Sequence, residues 1–190
     1  DVYKRQLGGH SDISAGAVIS TAENINLILN SAKNFGGNLS DYTVWLLERS
    51  MKTLFIRVRE QTNNAKRLAK MLEENSNISK VYYPGLESHP SHEVAKNQMK
   101  DFGAMMSFDL NENIDVYKFL KNLKVVKPGM SLAGVETTVN FPMKTSHGLL
   151  TQDERDNQGI GNKLIRLSVG IESYKDLFND LDQAIKNSLI

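Results

Sequence analysis

No cysteine occurs in the 190 residues. That excludes disulfides and thiolate metal sites, and it fits a reducing compartment. No apolar run approaches the length of a membrane span. No hydrophobic segment of the signal-peptide type stands behind Asp1-Val2-Tyr3-Lys4-Arg5-Gln6. The expectation is therefore a soluble, cytoplasmic protein. Neither charge is in excess: 23 Lys and Arg face 22 Asp and Glu, for a net charge of +1. The basic residues are scattered and have acidic neighbours, as in Lys66-Arg67 followed by Glu73-Glu74. That pattern gives no electrostatic case for nucleic acid, which needs a concentrated basic face. Proline and glycine are both missing between Ser40 and Ser79, so nothing there breaks a helix.

What is present is enough for a core, since 40% of the chain is hydrophobic. Residues 7–16 are rich in Gly and Ser, which reads as loop. Ala17-Val18-Ile19-Ser20 is short and apolar, as in a buried strand. Ser20 and Glu23 have capping-box spacing. Ile25, Ile28, Leu29 and Ala32 then follow at helical spacing, and Gly36-Gly37 ends that helix. Ser40 or Asp41 can cap the next one. An apolar stripe (Val44, Leu47, Met51, Leu54, Phe55, Val58, Ala65, Leu68, Ala69, Leu72) predicts one long helix or two nearly collinear ones. Such a helix often spans two domains.

After Asn75 the period changes. Strands are predicted over residues 81–83, around 105–110, over 124–126 and over 137–141. Short helices are predicted over residues 91–100 and 114–123. Thr151 and Glu154 form a second capping box, and Gly159 closes its helix. Ile165, Leu167 and Val169 put one strand face in the core, while Arg166 and Ser168 point the other way. Tyr174, Leu177, Phe178, Leu181, Ala184 and Ile185 make a final amphipathic helix. Mixed strands and helices predict an α+β domain from about residue 75 to the C-terminus. No internal repeat or low-complexity tract is present.

Arg166 is the most informative single residue. Its planar fork suits a bidentate grip on a carboxylate, although a strand Arg can equally lie under a solvated rim. His10 and Asp12 lie two apart in a Gly-rich loop. With no third ligand they read as loop-fixing residues and not as a metal site. His89 and His92 flank Pro90 and shape a turn and a helix start. His147 is undecided on spacing alone. The Gly8-Gly9 and Gly36-Gly37 pairs lack the dinucleotide-binding spacing. Trp45 and Met105-Met106 are expected in the core and not against a cofactor.

Several stretches, taken in order, resemble the pyridoxal-phosphate (PLP)-dependent Cys/Met metabolism family. They are Gly8-Gly9-His10-Ser11-Asp12, Leu39-Ser40, Trp45-Leu46-Leu47-Glu48-Arg49 with Lys52-Thr53-Leu54, and Tyr83-Pro84-Gly85-Leu86 with Ser88-His89-Pro90. Further on come Ser131-Leu132-Ala133-Gly134-Val135-Glu136-Thr137, Thr145-Ser146-His147, and Ile165-Arg166-Leu167-Ser168-Val169-Gly170-Ile171-Glu172. The family includes cystathionine γ-synthase, cystathionine γ- and β-lyases and methionine γ-lyase. The resemblance covers residues 7–190 and implies the type I, aspartate-aminotransferase-like α/β fold of which this chain is the C-terminal portion. It implies that residues 7–40 end the large PLP domain, 41–74 form the connecting helix and 75–190 form the small α+β domain. It further implies a PLP cofactor, an amino-acid substrate and a homotetramer.

The resemblance assigns Arg166 to the substrate α-carboxylate and Ser131 to the same end of the substrate. Met130 stands where the cystathionine enzymes typically carry Glu, which implies smaller or less polar substrates. In the family, PLP is an electron sink that lets the Cα proton leave. The Schiff-base lysine lies five residues before the His of the Gly-His-Ser-Asp run. Here that position is Arg5, and Lys4 is one place off. The phosphate-gripping Ser and Thr are replaced by Tyr3 and Lys4. Residues 1–6 therefore read as a scar outside the family. The expectation is a trans-sulfuration carbon–sulfur lyase or γ-synthase fragment that is inactive alone, with no catalytic, cofactor-binding or metal-binding residue of its own. The alternatives are a non-catalytic assembly or interaction domain on the same fold, and an enzyme that uses Lys4.

Overall fold

The computed structural model describes residues 4–190. Asp1, Val2 and Tyr3, part of the segment read as a scar, lie outside the described residues, as do the side chains of Lys4 and Arg5. The chain divides into two compact units, Asp1–Phe55 and Ile56–Ile190.

In the first unit the described elements are all helical: α1 (Lys4–Gly8), α2 (Ala22–Phe35) and α3 (Asp41–Met51). Helix α1 thus takes in Leu7 and Gly8, which the composition assigned to loop. The cap of α2 is Thr21, not Ser20. The Thr21 hydroxyl accepts from the Asn24 amide, while Ser20 Oγ accepts from the Asn24 side chain at 3.0 Å. Gly36 and Gly37, with φ of 84° and 92°, end the helix as expected. Ser40 caps α3 by accepting from Thr43 N.

The strand expected over residues 17–20 does not form. Val18 is 59% and Ile19 86% exposed. No strand exists among the described residues of this unit, so an extended segment there has no ladder to join. Trp45 is likewise outside any core, half exposed and stacked on Tyr42 at 6.1 Å.

The second unit begins within α4 (Leu54–Glu73), which Lys52 and Thr53 separate from α3. Its strands are β1 (Ile78–Tyr82), β2 (Met105–Leu110), β3 (Lys127–Pro128), β4 (Thr138–Asn140) and β5 (Leu164–Ser168). They form one sheet in the order β1-β2-β5-β4-β3, antiparallel except for the β3–β4 pair. The remaining helices are α5 (His92–Gln98), α6 (Val116–Asn122), α7 (Gln152–Asn157) and α8 (Tyr174–Lys186), with one 3-10 turn over Pro142–Lys144. Ala65, Leu68, Ala69 and Leu72 of α4 and Leu177, Leu181, Ala184 and Ile185 of α8 are fully buried in one cluster with Phe108, Ile165 and Leu167. The periods of 3.6 and 2 therefore place the core where the sequence suggests. Met106 is in that core and Met105 half-buried. The Thr151–Glu154 capping box is present on α7.

The strand predicted over residues 124–126 is displaced to Lys127–Pro128. The buried Asp180 carboxylate of α8 accepts from the backbone amides of Lys124, Val125 and Val126 at 2.8–3.1 Å. Those three donors are committed to a side chain and cannot serve a sheet.

Two adjacent tyrosines give a pH-dependent stability. Burial first, and then the hydrogen bond and charge of Asp109, push the Tyr82 phenol up to about 12. Burial holds Tyr83 higher still. Both values lie above the ordinary 10.0, so the folded state retains protons that the unfolded chain releases. This stabilisation is complete below pH 10 and is lost as pH rises through about 12. In an absorbance titration of the six tyrosines, Tyr82 should ionise late and Tyr83 only on alkaline unfolding. The substitution Tyr83→Phe should delete the last step. Titration of all six near pH 10 with the fold intact would refute this assignment.

Candidate functional site

Arg166 sits at the centre of β5 with its neighbours fixed by register. Ser107 of β2 and Asn140 of β4 oppose it on the two sides. Side chains opposite one another in antiparallel strands share a face. Ser107, Arg166 and Asn140 therefore form a polar row on the face turned away from Ile165 and Leu167. This is the outward position that alternation predicts for Arg166. Arg166 Nη2 donates to the Met130 carbonyl at 3.2 Å. Two of the three candidate residues thus touch, and Ser131 follows Met130 directly in the chain. Met130 is itself 61% exposed, so its side chain lies on the surface beside the arginine.

The segment that carries Met130 and Ser131 is tied down at several points. Thr138 Oγ1 donates to the Ser131 carbonyl at 2.9 Å, and Gln61 Nε2 of α4 donates to the Gly134 carbonyl at 2.6 Å. Ala133 N donates to Ser168 Oγ at 2.7 Å. On the rim, Lys127 and Glu136 pair at 2.5 Å. That hydrogen bond and the charge behind it raise the Lys127 pKa.

Beyond Ser168 the chain is knitted again. The Glu172 carboxylate accepts from Thr137 N at 2.6 Å and Thr137 Oγ1 at 2.7 Å, and Gly170 N donates to Thr137 Oγ1 at 2.8 Å. Asn64 of α4, almost fully buried, donates to the Gly170 and Glu172 carbonyls. Reading the sequence missed Ser168, Gln61 and Asn64. For Gln61 and Asn64 the only signal was a polar residue along the buried stretch of α4, and for Ser168 it was its place beside Arg166 on β5.

Asn140 is 3% exposed. Its Oδ1 accepts from Thr145 Oγ1 at 2.6 Å, while its Nδ2 has no hydrogen-bond partner among the described residues. A buried donor left unpaired costs roughly 1–3 kcal/mol.

The histidines make local bonds. His10 Nδ1 donates to the Gly8 carbonyl at 2.7 Å. His89 Nδ1 accepts from Ser91 N. His92 begins α5 and bonds the Pro84 carbonyl at 2.8 Å while stacking on Phe102. His147 Nδ1 pairs with its neighbour Ser146 at 2.8 Å. Among the described residues no group of three or more His, Asp or Glu could hold a metal ion. Nor is any helix of the described residues long and apolar enough to cross a membrane.

An antiparallel-rich sheet backed by helices, with Arg166 tied to the Met130 carbonyl on the face turned from Ile165 and Leu167, defines the α/β architecture of the second unit. The family model for Cys/Met metabolism PLP-dependent enzymes matches residues 4–186, and the chain belongs to that family. The match starts three residues before Leu7. The chain is 40% identical to the cystathionine beta-lyase of Lactococcus lactis subsp. cremoris (strain MG1363), over 96% of this chain and 48% of that one. It is also 40% identical to the L-methionine gamma-lyase of Fusobacterium nucleatum subsp. polymorphum, over 96% of this chain and 47% of that one. Among solved structures it resembles the cystathionine gamma-lyase from Lactobacillus plantarum complexed with L-serine. There the TM-score is 0.90 at 35% identity, covering 97% of this chain and 49% of that one. The chain therefore spans about half the length of the relatives it matches. The type I PLP fold follows from these neighbours, and the family is one of PLP-dependent lyases and synthases of sulfur amino acids.

Proposed function

We propose that this chain is the substrate-carboxylate-binding, C-terminal half of a PLP-dependent trans-sulfuration enzyme. That enzyme would be a carbon–sulfur lyase or γ-synthase of the methionine γ-lyase or cystathionine γ-lyase/γ-synthase type. The observation that carries the reading is Arg166 on the open face of β5, oriented by the Met130 carbonyl and in register with Asn140. An amino-acid carboxylate brought to this row meets the guanidinium, and an acceptor there can also answer the Asn140 amide. Ser131, beside Met130, serves the same end of the substrate. The exposed Met130 side chain offers nothing to pair with a distal ammonium, which favours smaller or less polar substrates.

PLP, when bound, supplies the electron sink for the Cα–H bond. The family's lysine is not among the residues assigned here to the substrate end. Ser107 and Asn140 flank Arg166 in register, and Arg5 stands in the sequence where the family's lysine is expected. The role of this chain is therefore to grip and orient substrate, with the cofactor's contacts lying elsewhere in a complete family member. The homotetramer and cytoplasmic location implied by the family belong to that complete protein. A second reading, a non-catalytic assembly or interaction domain, is favoured by Arg5 at the lysine position.

One experiment tests the proposal. After incubation with PLP and borohydride reduction, the 190-residue chain alone should show no stoichiometric pyridoxyl adduct on any lysine. Residues 7–190 joined to the N-terminal half of a family lyase should acquire one such adduct and release thiol from methionine or cystathionine. A stoichiometric adduct at Lys4 in the chain alone would support the Lys4 alternative. A chimera that binds PLP yet cleaves no sulfur amino acid would favour the assembly domain.

A further inference from the structure

Ser168 lies two residues after Arg166 on β5, so the strand's period puts both on the face turned from the core. A hydroxyl in that position ordinarily meets water, yet Ser168 is 1% exposed. The segment from Met130 to Gly134 approaches it there, and the Ala133 amide donates to Ser168 Oγ at 2.7 Å. Ala133 has φ of 60°, a left-handed conformation that strains a residue bearing a Cβ. The segment is therefore not at rest in its local minimum, and its tertiary hydrogen bonds hold it.

Two of those bonds come from one strand. Arg166 holds Met130 at one end of the segment and Ser168 holds Ala133 near the other. A strand is stiff, so two attachments two residues apart set both the distance and the rotation of the segment. The same two attachments, taken in reverse, fix the guanidinium against the Met130 carbonyl.

We propose that Ser168 is a positioning residue for carboxylate recognition. By holding Ala133 it keeps the Met130 carbonyl where it orients the Arg166 fork. The proposal rests on the reading of Arg166 as the carboxylate grip. Removing the hydroxyl in Ser168→Ala deletes only one atom, but it frees Ala133 to leave its strained conformation. Met130 then drifts from Nη2, and the guanidinium loses the bond that this carbonyl gives it.

The test has two arms. In the 190-residue chain, the nitrogen-relaxation order parameter of Arg166 Nε should fall in Ser168→Ala relative to the parent chain. The Leu167 amide should stay ordered. In the PLP-loaded chimera of residues 7–190 with the N-terminal half of a family lyase, binding of L-methionine is compared with 3-(methylthio)propylamine, the same molecule without its carboxylate. Ser168→Ala should weaken the amino acid by about five- to tenfold, the scale of one lost hydrogen bond, and leave the amine unchanged. An unchanged Arg166 Nε, or equal weakening of both ligands, overturns the positioning role. Arg166→Lys is run beside it: if that variant keeps the preference for the carboxylate-bearing ligand, the carboxylate reading itself fails, whatever Ser168 does.

Discussion

Replacing Gly170 by Ala is expected to destabilise the Ile56–Ile190 unit by about 3–5 kcal/mol. A Cβ at this position would stand 2.2 Å from the Val135 carbonyl oxygen, 2.4 Å from Glu172 Oε2 and 2.6 Å from Thr137 N. Two of these atoms are backbone and cannot rotate aside. The third is a carboxylate oxygen that accepts from Thr137 Oγ1. Relief therefore requires moving the strand exit or breaking the Glu172–Thr137 bonds, which are charge-assisted. At roughly 2–4 °C per kcal/mol for a unit of this size, Tm should fall by about 10 °C. Gly129→Ala is the control, because a Cβ there meets nothing within 4 Å. Equal melting temperatures for the two variants would show that the turn after β5 is not held as described.

The elements that were legible in the sequence owe their pattern to a single local cause. The alternation of Ile165, Leu167 and Val169 survives because one face of β5 packs in the apolar core with α4 and α8, while the other carries Arg166 and Ser168. The stripe of α8 is legible for the same reason. Gly36-Gly37 and the Thr151–Glu154 box act within one turn, so their residues carry the whole signal. The strand expected over residues 124–126 failed because a residue more than fifty positions away intervenes. Asp180 takes the three amides, and nothing near Lys124 announces it. Val18 and Ile19 failed differently. Their β propensity is real, but a strand needs a neighbour, and the described residues of their unit provide none.

The candidate site divides along the same line. Arg166 could be placed from its strand period, and its role came only through the resemblance. Its contact with Met130 joins β5 to a segment some 36 residues earlier, and no periodicity encodes that. In the sequence, Ser168 reads only as pointing the same way as Arg166. Its burial depends on how the Met130–Gly134 segment folds over the sheet, and that in turn depends on Gln61 and on the conformation of Ala133. Asn140 was hidden inside a strand that was otherwise read correctly, because an unpaired amide is visible only once its neighbours are in place.

Arg166→Lys, made in a full-length enzyme carrying residues 7–190, is expected to lower kcat/KM heavily while PLP absorbance survives. The argument is geometric. A guanidinium offers two parallel donors to a carboxylate, whereas an ammonium offers a point contact on a stem of different length. Lysine would also forfeit the bond that Arg166 Nη2 makes to the Met130 carbonyl, and with it the fixed direction of the charge. A grip on the carboxylate also fixes the Cα–H bond relative to the cofactor, so a looser grip slows the chemistry and does not merely weaken binding. A charge-assisted bidentate contact is worth roughly 2–4 kcal/mol when desolvated. That converts to a loss of about thirty- to a thousandfold in kcat/KM. The loss should be shared by methionine and cystathionine, because both present the same carboxylate, whereas a change at Met130 should separate them. Near-full kcat/KM for Arg166→Lys on every amino-acid substrate would leave Arg166 as a surface strand arginine and remove the carboxylate site from this face of the sheet.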